Sequence, residues 1–109
     1  MEELDLSIYR GDDTAFTIAF TTDEGDFIIE GGVLEMEIRP KHIGTSVRLS
    51  SVEGGISLLN ANTAVLHFSH AFTQNWTWKK ADYDLQLTKN DTVKTLVRGQ
   101  ILLTHDITK

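Results

Sequence analysis

From Ala81 to Leu103 the chain spells two β-strands joined by a turn, and no other stretch limits its fold so tightly. Tyr83, Leu85 and Leu87 alternate with Asp84 and Gln86, which is the two-residue period of a strand with one apolar and one polar side. Lys89-Asn90-Asp91 then supplies residues that tolerate turn geometry, and a second β-rich run starts at Thr92, so an antiparallel hairpin is expected. The second run carries Val93, Leu96, Val97, Ile101, Leu102 and Leu103, apolar side chains on both of its faces. One set belongs to a core. The other is expected either under a partner subunit or, if a bulge at Gly99 rotates the pattern, in the same core.

Similar alternation recurs upstream. Leu4, Leu6 and Ile8 mark a short first strand that ends at Arg10-Gly11-Asp12-Asp13, a turn signal. Phe16, Ile18 and Phe20 share one face of a strand from Thr14 to Thr22 and are expected in the core. After the turn at Asp23 to Asp26, Leu34, Met36 and Ile38 face away from Glu35, Glu37 and Arg39, and Pro40 ends that strand because it lacks a ladder donor. Beyond a loop from Lys41 to Thr45, short strands are expected around Val47 and Leu49, from Ile56 to Leu58, and from Thr63 to His70, where Ala64, Leu66 and Phe68 form the apolar face. Ala71 to Trp78 breaks the alternation, which predicts a short helical crossover with Phe72 and one tryptophan plugging an end of the core.

Seven to eight short strands, regular turns and one short helical crossover predict a single all-β domain over residues 1–109, an antiparallel two-sheet immunoglobulin-like sandwich in preference to a closed barrel. Tyr83, just after the crossover, is expected to cap that corner through a hydroxyl bond to nearby backbone. A chain of 109 residues with 40% hydrophobic content is long enough for one core and too short for two. It has no cysteine, so packing and strand pairing must hold it without disulfides, and thiol chemistry is excluded. The net charge of -6, with ten basic residues scattered singly or in pairs, argues against nucleic acid. No apolar run reaches the roughly 20 residues of a membrane span, and the acidic start is unlike a secretory signal, so synthesis in the cytoplasm with no membrane partner is expected.

Chemistry-bearing clusters are sparse. His67 and His70 are the one close histidine pair among His42, His67, His70 and His105, but positions three apart on a strand face opposite sides, so no metal site is expected. Asp82 and Asp84 share a strand face, where Lys94 or Arg98 can pair with them. The acidic turns lack the alternating oxygens of a calcium loop. Nucleophile elbows, phosphate loops and metalloprotease helices are absent from the sequence, so neither catalytic residues nor a cofactor are expected. Arg10-Gly11-Asp12 is read as a corner, and the sequons at Asn75 and Asn90 as polar turns. Trp76 and Trp78 fit either a core or interface position or a sugar-stacking platform.

The order of these blocks resembles a family of small tailed-bacteriophage virion modules found at the start of baseplate, tail-fibre and tail-associated proteins. The matching blocks are Leu6 to Asp12 before a Phe/Ile strand, Gly31-Gly32 leading to Arg39, Gly55 to Leu58, Tyr83 to Thr88, Thr95 to Ile101, and the closing Asp106 to Thr108. They span nearly the whole chain. One departure is Ile29-Glu30-Gly31, where the family carries Leu-Thr-Gly; another is that no long fibre region follows. The resemblance implies a non-enzymatic structural subunit, an adaptor or attachment module in the tail, baseplate or fibre region of a virion assembled in a host cytoplasm. Its implied partners are other virion proteins, with multiple copies in a symmetric assembly. Capsid decoration is a variant within that class, and a carbohydrate-binding module using Trp76 and Trp78 is the competing class. The candidate interface residues are Trp76, Trp78, Val93, Leu96 and Leu102.

Overall fold

The alternating segments become strands in a computed structural model that describes residues 2–22, 25–41 and 46–104. In chain order these are β1 (Glu2–Glu3), β2 (Leu6–Tyr9), β3 (Thr14–Ala19), β4 (Thr21–Thr22), β5 (Gly25–Asp26), β6 (Val33–Pro40), β7 (Val47–Ser50), β8 (Ile56–Asn60) and β9 (Thr63–Phe68). A single helical turn, α1 (His70–Thr73), then leads to β10 (Lys80–Lys89) and β11 (Thr92–Thr104). Two sheets pack face to face. One runs β7-β6-β10-β11, and the other runs β3-β9-β8. In immunoglobulin terms these are the C′-C-F-G and B-E-D layers, so the domain is an immunoglobulin-like sandwich. The opening strand departs from the all-antiparallel expectation: β1 and β2 both lie parallel to β11.

The core forms where the inward faces meet. Leu34, Met36 and Ile38 of β6, Ala64, Leu66 and Phe68 of β9, and Tyr83, Leu85 and Leu87 of β10 are all buried, as their alternation predicts. Burying one such side chain contributes about 1.5–3 kcal/mol, and no covalent cross-link supplements it. Between β10 and β11 the turn residues Asn90 and Asp91 have φ of 53° and 63°, the left-handed pair that a two-residue hairpin loop demands.

Three local expectations change. Phe20 ends β3, because its carbonyl accepts from the Phe27 amide and its amide donates to Asn62, so the run from Thr14 to Thr22 bends instead of continuing. Phe16 and Ile18 are therefore only half-buried, packed against the core from its flank. The bulge in β11 lies at Leu96, not Gly99: Leu85 faces Val97 and Gln86 faces Thr95, leaving Leu96 as the extra residue. This buries both Leu96 and Val97, and it turns Val93 outward. Pro40 closes β6 as its last residue. The turn residues Asp23 and Glu24, His42 and the rest of its loop through Thr45, His105, and the closing Asp106 to Thr108 lie outside the described residues.

Candidate interaction surface

Surface is what the fold arranges most distinctly, in three places: the outer face of the larger sheet, the seam along the first strand, and the end occupied by α1. On the outer face, strand pairing lines up charged side chains in rows. Arg39 donates to Glu37 (2.7 Å) and to Asp84 (3.1 Å), Arg48 reaches Glu35 (3.5 Å) and Glu37 (3.7 Å), and Arg98 reaches Glu3 (3.3 Å). Asp84 next to Arg39 pushes the guanidinium pKa further upward, so this arginine stays charged. The expected pairing of Asp82 and Asp84 with Lys94 or Arg98 is not formed. β10 has β6 on its other side, and Arg39 from that strand takes Asp84, while Lys41 (3.9 Å) and Gln100 (3.4 Å) take Asp82. Arg98 is drawn to the first strand. Lys94 instead sits over the Phe27 ring at 5.1 Å. These pairs are solvent-exposed, each worth about 0–1 kcal/mol, and they make the face a polar, mutually satisfied surface.

The seam depends on two residues. Gly99 faces the break between β1 and β2, where a Cβ would overlap the Leu4 carbonyl. Tyr83 pairs with Gly99 across the strands, and its hydroxyl donates to that same Leu4 carbonyl at 2.5 Å. The phenol therefore fastens the opening strand, 79 positions away in sequence, and does not cap its own corner. Burial, with a smaller contribution from the charge of Asp5, pushes the Tyr83 pKa up to about 12. Asp5 completes the seam by accepting from the Gln100 amide at 3.0 Å.

At the α1 end, Ser69 caps the helical turn by accepting from the Phe72 amide. The Arg10-Gly11-Asp12 corner is tied into this end. The Arg10 guanidinium donates to the Trp76 carbonyl (3.2 Å) and the Gly11 amide donates to the buried Thr73 hydroxyl (3.0 Å), with Gly11 at φ 87°. The sequence marks Arg10 as part of a corner but not its bond to Trp76, and Thr73 carries no pattern, since a single polar residue near a turn gives no signal of its partner. The His70 backbone amide donates to the Asp13 carboxylate at 2.7 Å and the His70 ring bonds to it at 2.9 Å; these bonds, the backbone one foremost, hold the Asp13 carboxyl below its usual range. His67 pairs separately with Ser57 at 2.8 Å. Among the described residues no three metal-binding side chains converge.

The five candidate interface residues divide. Trp76 and Trp78 are 9% and 6% exposed, with ring centroids 4.8 Å apart and Phe72 edge-on to Trp76 at 5.0 Å. Indoles buried in this way do not form a stacking platform, which corrects both the interface and the sugar-binding expectation for them. Leu96, 7% exposed, is likewise taken into the core by its bulge. Val93 and Leu102 remain on the surface, 60% and 43% exposed.

No family model matches the chain, and no curated protein matches it. Among solved structures, similar chains include the extracellular domain of the voltage-gated sodium channel beta4 subunit, whose parallel homodimers are described with a role in cell-cell adhesion. There the TM-score is 0.49 at 10% identity, over 100% of this chain and 91% of that one. A second is a sodium channel beta-subunit structure studied for multimeric cell-adhesive interactions, with a TM-score of 0.41 at 11% identity over 95% and 92% of the two chains. At such identity neither transfers a function to this chain.

Proposed function

We propose that this chain is a non-enzymatic structural subunit of a tailed-phage virion, an adaptor or attachment module of the tail, baseplate or fibre region. The observation that carries the reading is the ordered set of sequence blocks from Leu6 to Ile101, which together resemble the virion-module family along almost the full chain. The surface chemistry supports it. Both tryptophans are in the core, the charges of the broad outer face are matched to one another, and what remains for recognition is strand edges, turns and the two ends. Partners are other virion proteins, and repeated copies follow from the symmetry of such particles.

Purified particles test this directly. Mass spectrometry is expected to find the chain as a stoichiometric particle component, and gold-labelled antiserum is expected to mark the tail or fibre base. Label on the head would replace the tail assignment with capsid decoration. Presence in infected cells with absence from purified particles would sink the proposal.

A further inference from the structure

The edges of the two sheets are not alike. β7 is four residues long and carries the exposed Arg48; β8 is interrupted by an extra residue at Leu59; β1 and β2 are broken at Leu4 and Asp5 and bear Glu3. Each of these features hinders edge-to-edge pairing. β3 has none of them. Its six residues, Thr14 to Ala19, include no charge, no proline and no bulge, in a chain of net charge -6. Among the described residues no strand pairs with it on the side away from β9.

Its backbone is poised for pairing there. The Phe20 amide bonds Asn62, and the His67 amide turns away from β3 to Gly55, so the even-numbered residues of β3 are the ones bonded to β9. Ala15, Thr17 and Ala19 therefore aim their N–H and C=O groups at the open side. The inward side chains show the same vacancy. Phe16 and Ile18 point at the core yet stay half-buried, whereas their β9 neighbours Leu66 and Ala64 are fully covered. Beside them a cavity of about 250 Å³ opens between Leu4, Ile18, Phe20, Phe27 and Leu96, with Lys94 at its wall.

We infer that this edge pairs with the same edge of a second copy, antiparallel and centred on Thr17, joining two three-stranded sheets into one. The inference goes beyond the virion reading and does not need it. The occupant is a second copy because the strand is complementary to itself: around Thr17 the residues run Ala15, Phe16, Thr17, Ile18, Ala19, a near-palindrome. A two-fold axis at Thr17 places threonine on threonine and alanine on alanine on the outer face, and phenylalanine on isoleucine on the inner face, with no like charges opposed. The residues that meet as hydrogen-bonded pairs in this register are Ala15, Thr17 and Ala19, those with free backbone groups.

Since the chain lacks cysteine, Thr17→Cys installs one thiol per copy. Opposed hydrogen-bonded residues sit about 5.5 Å apart at Cα, within the reach of a disulfide. Under air oxidation Thr17→Cys is expected to cross-link to a dimer, and Leu59→Cys, exposed on the bulged edge, is not. For the unmodified chain, sedimentation velocity from about 1 µM to about 1 mM is expected to show a monomer-dimer equilibrium. Thr17→Lys, which opposes two cations across the axis on an exposed position, is expected to weaken it at least about a hundredfold with circular dichroism unchanged. A monomer over the whole range, or a dimer indifferent to Thr17→Lys and cross-linked as well by Leu59→Cys, overturns the inference. Either result leaves the virion role standing, because any other docking partner satisfies it.

Discussion

The phenol of Tyr83 has an unusual task for a core side chain, since its single polar atom anchors a strand from the other end of the sequence. Removing it by Tyr83→Phe keeps the ring in place and leaves the Leu4 carbonyl without its donor, so denaturant unfolding is expected to show a loss of about 1–3 kcal/mol. The pH dependence follows from the raised pKa. An unfolded tyrosine loses its proton near 10.0 and the folded one near about 12, so the native state holds more protons in that interval. Stability is therefore fully present below pH 10.0 and is expected to fall as pH rises toward about 12, with Tyr83→Phe flattening that slope. A slope unchanged in the variant would show that another group governs alkaline unfolding. Sequence alone marked Tyr83 as a hydroxyl in need of a partner but pointed to the wrong one. Alternation fixes which face a side chain occupies, whereas the identity of an acceptor 79 positions away depends on parallel pairing that no local pattern records.

At the scale of elements, β11 is where pattern and structure part company. Its apolar residues on both faces leave two readings open, a covered outer face or a bulge. The fold takes the second, but places the extra residue at Leu96, three positions before the glycine that looks built for it. Gly99 serves another need, close approach by the first strand. The two halves of the run should therefore respond differently to truncation. Leu96→Ala is expected to cost about 2–4 kcal/mol through a core cavity, while Val93→Ala stays within about 0.5 kcal/mol in the same denaturant titration. Equal costs would contradict the bulge. Strands whose one face is wholly buried, β6, β9 and β10, were legible in the sequence, because two-residue alternation and burial there coincide. The outer-face pairings were not, since they depend on which strand lies beside which.

Taken whole, the molecule is an immunoglobulin-like sandwich with its indoles inside and its charges matched on one broad face. Because Trp76 and Trp78 belong to the common core, their fluorescence should report global unfolding. Emission is expected to be blue-shifted and poorly quenched by iodide in the native state, and to shift red in one transition that coincides with loss of the β-sheet circular dichroism signal. Iodide-accessible native indoles would reopen the sugar-platform reading. Composition, alternation and turns revealed the sandwich; the proposed virion role rests on block order alone, which is why particle localisation is its decisive measurement.

The parallel placement of β1 and β2 against β11 has a consequence for how the polypeptide is made. Within this domain the opening strands precede their hydrogen-bonding partner β11 by most of the fold, so on the ribosome they wait undocked until the β10–β11 hairpin has emerged and closed.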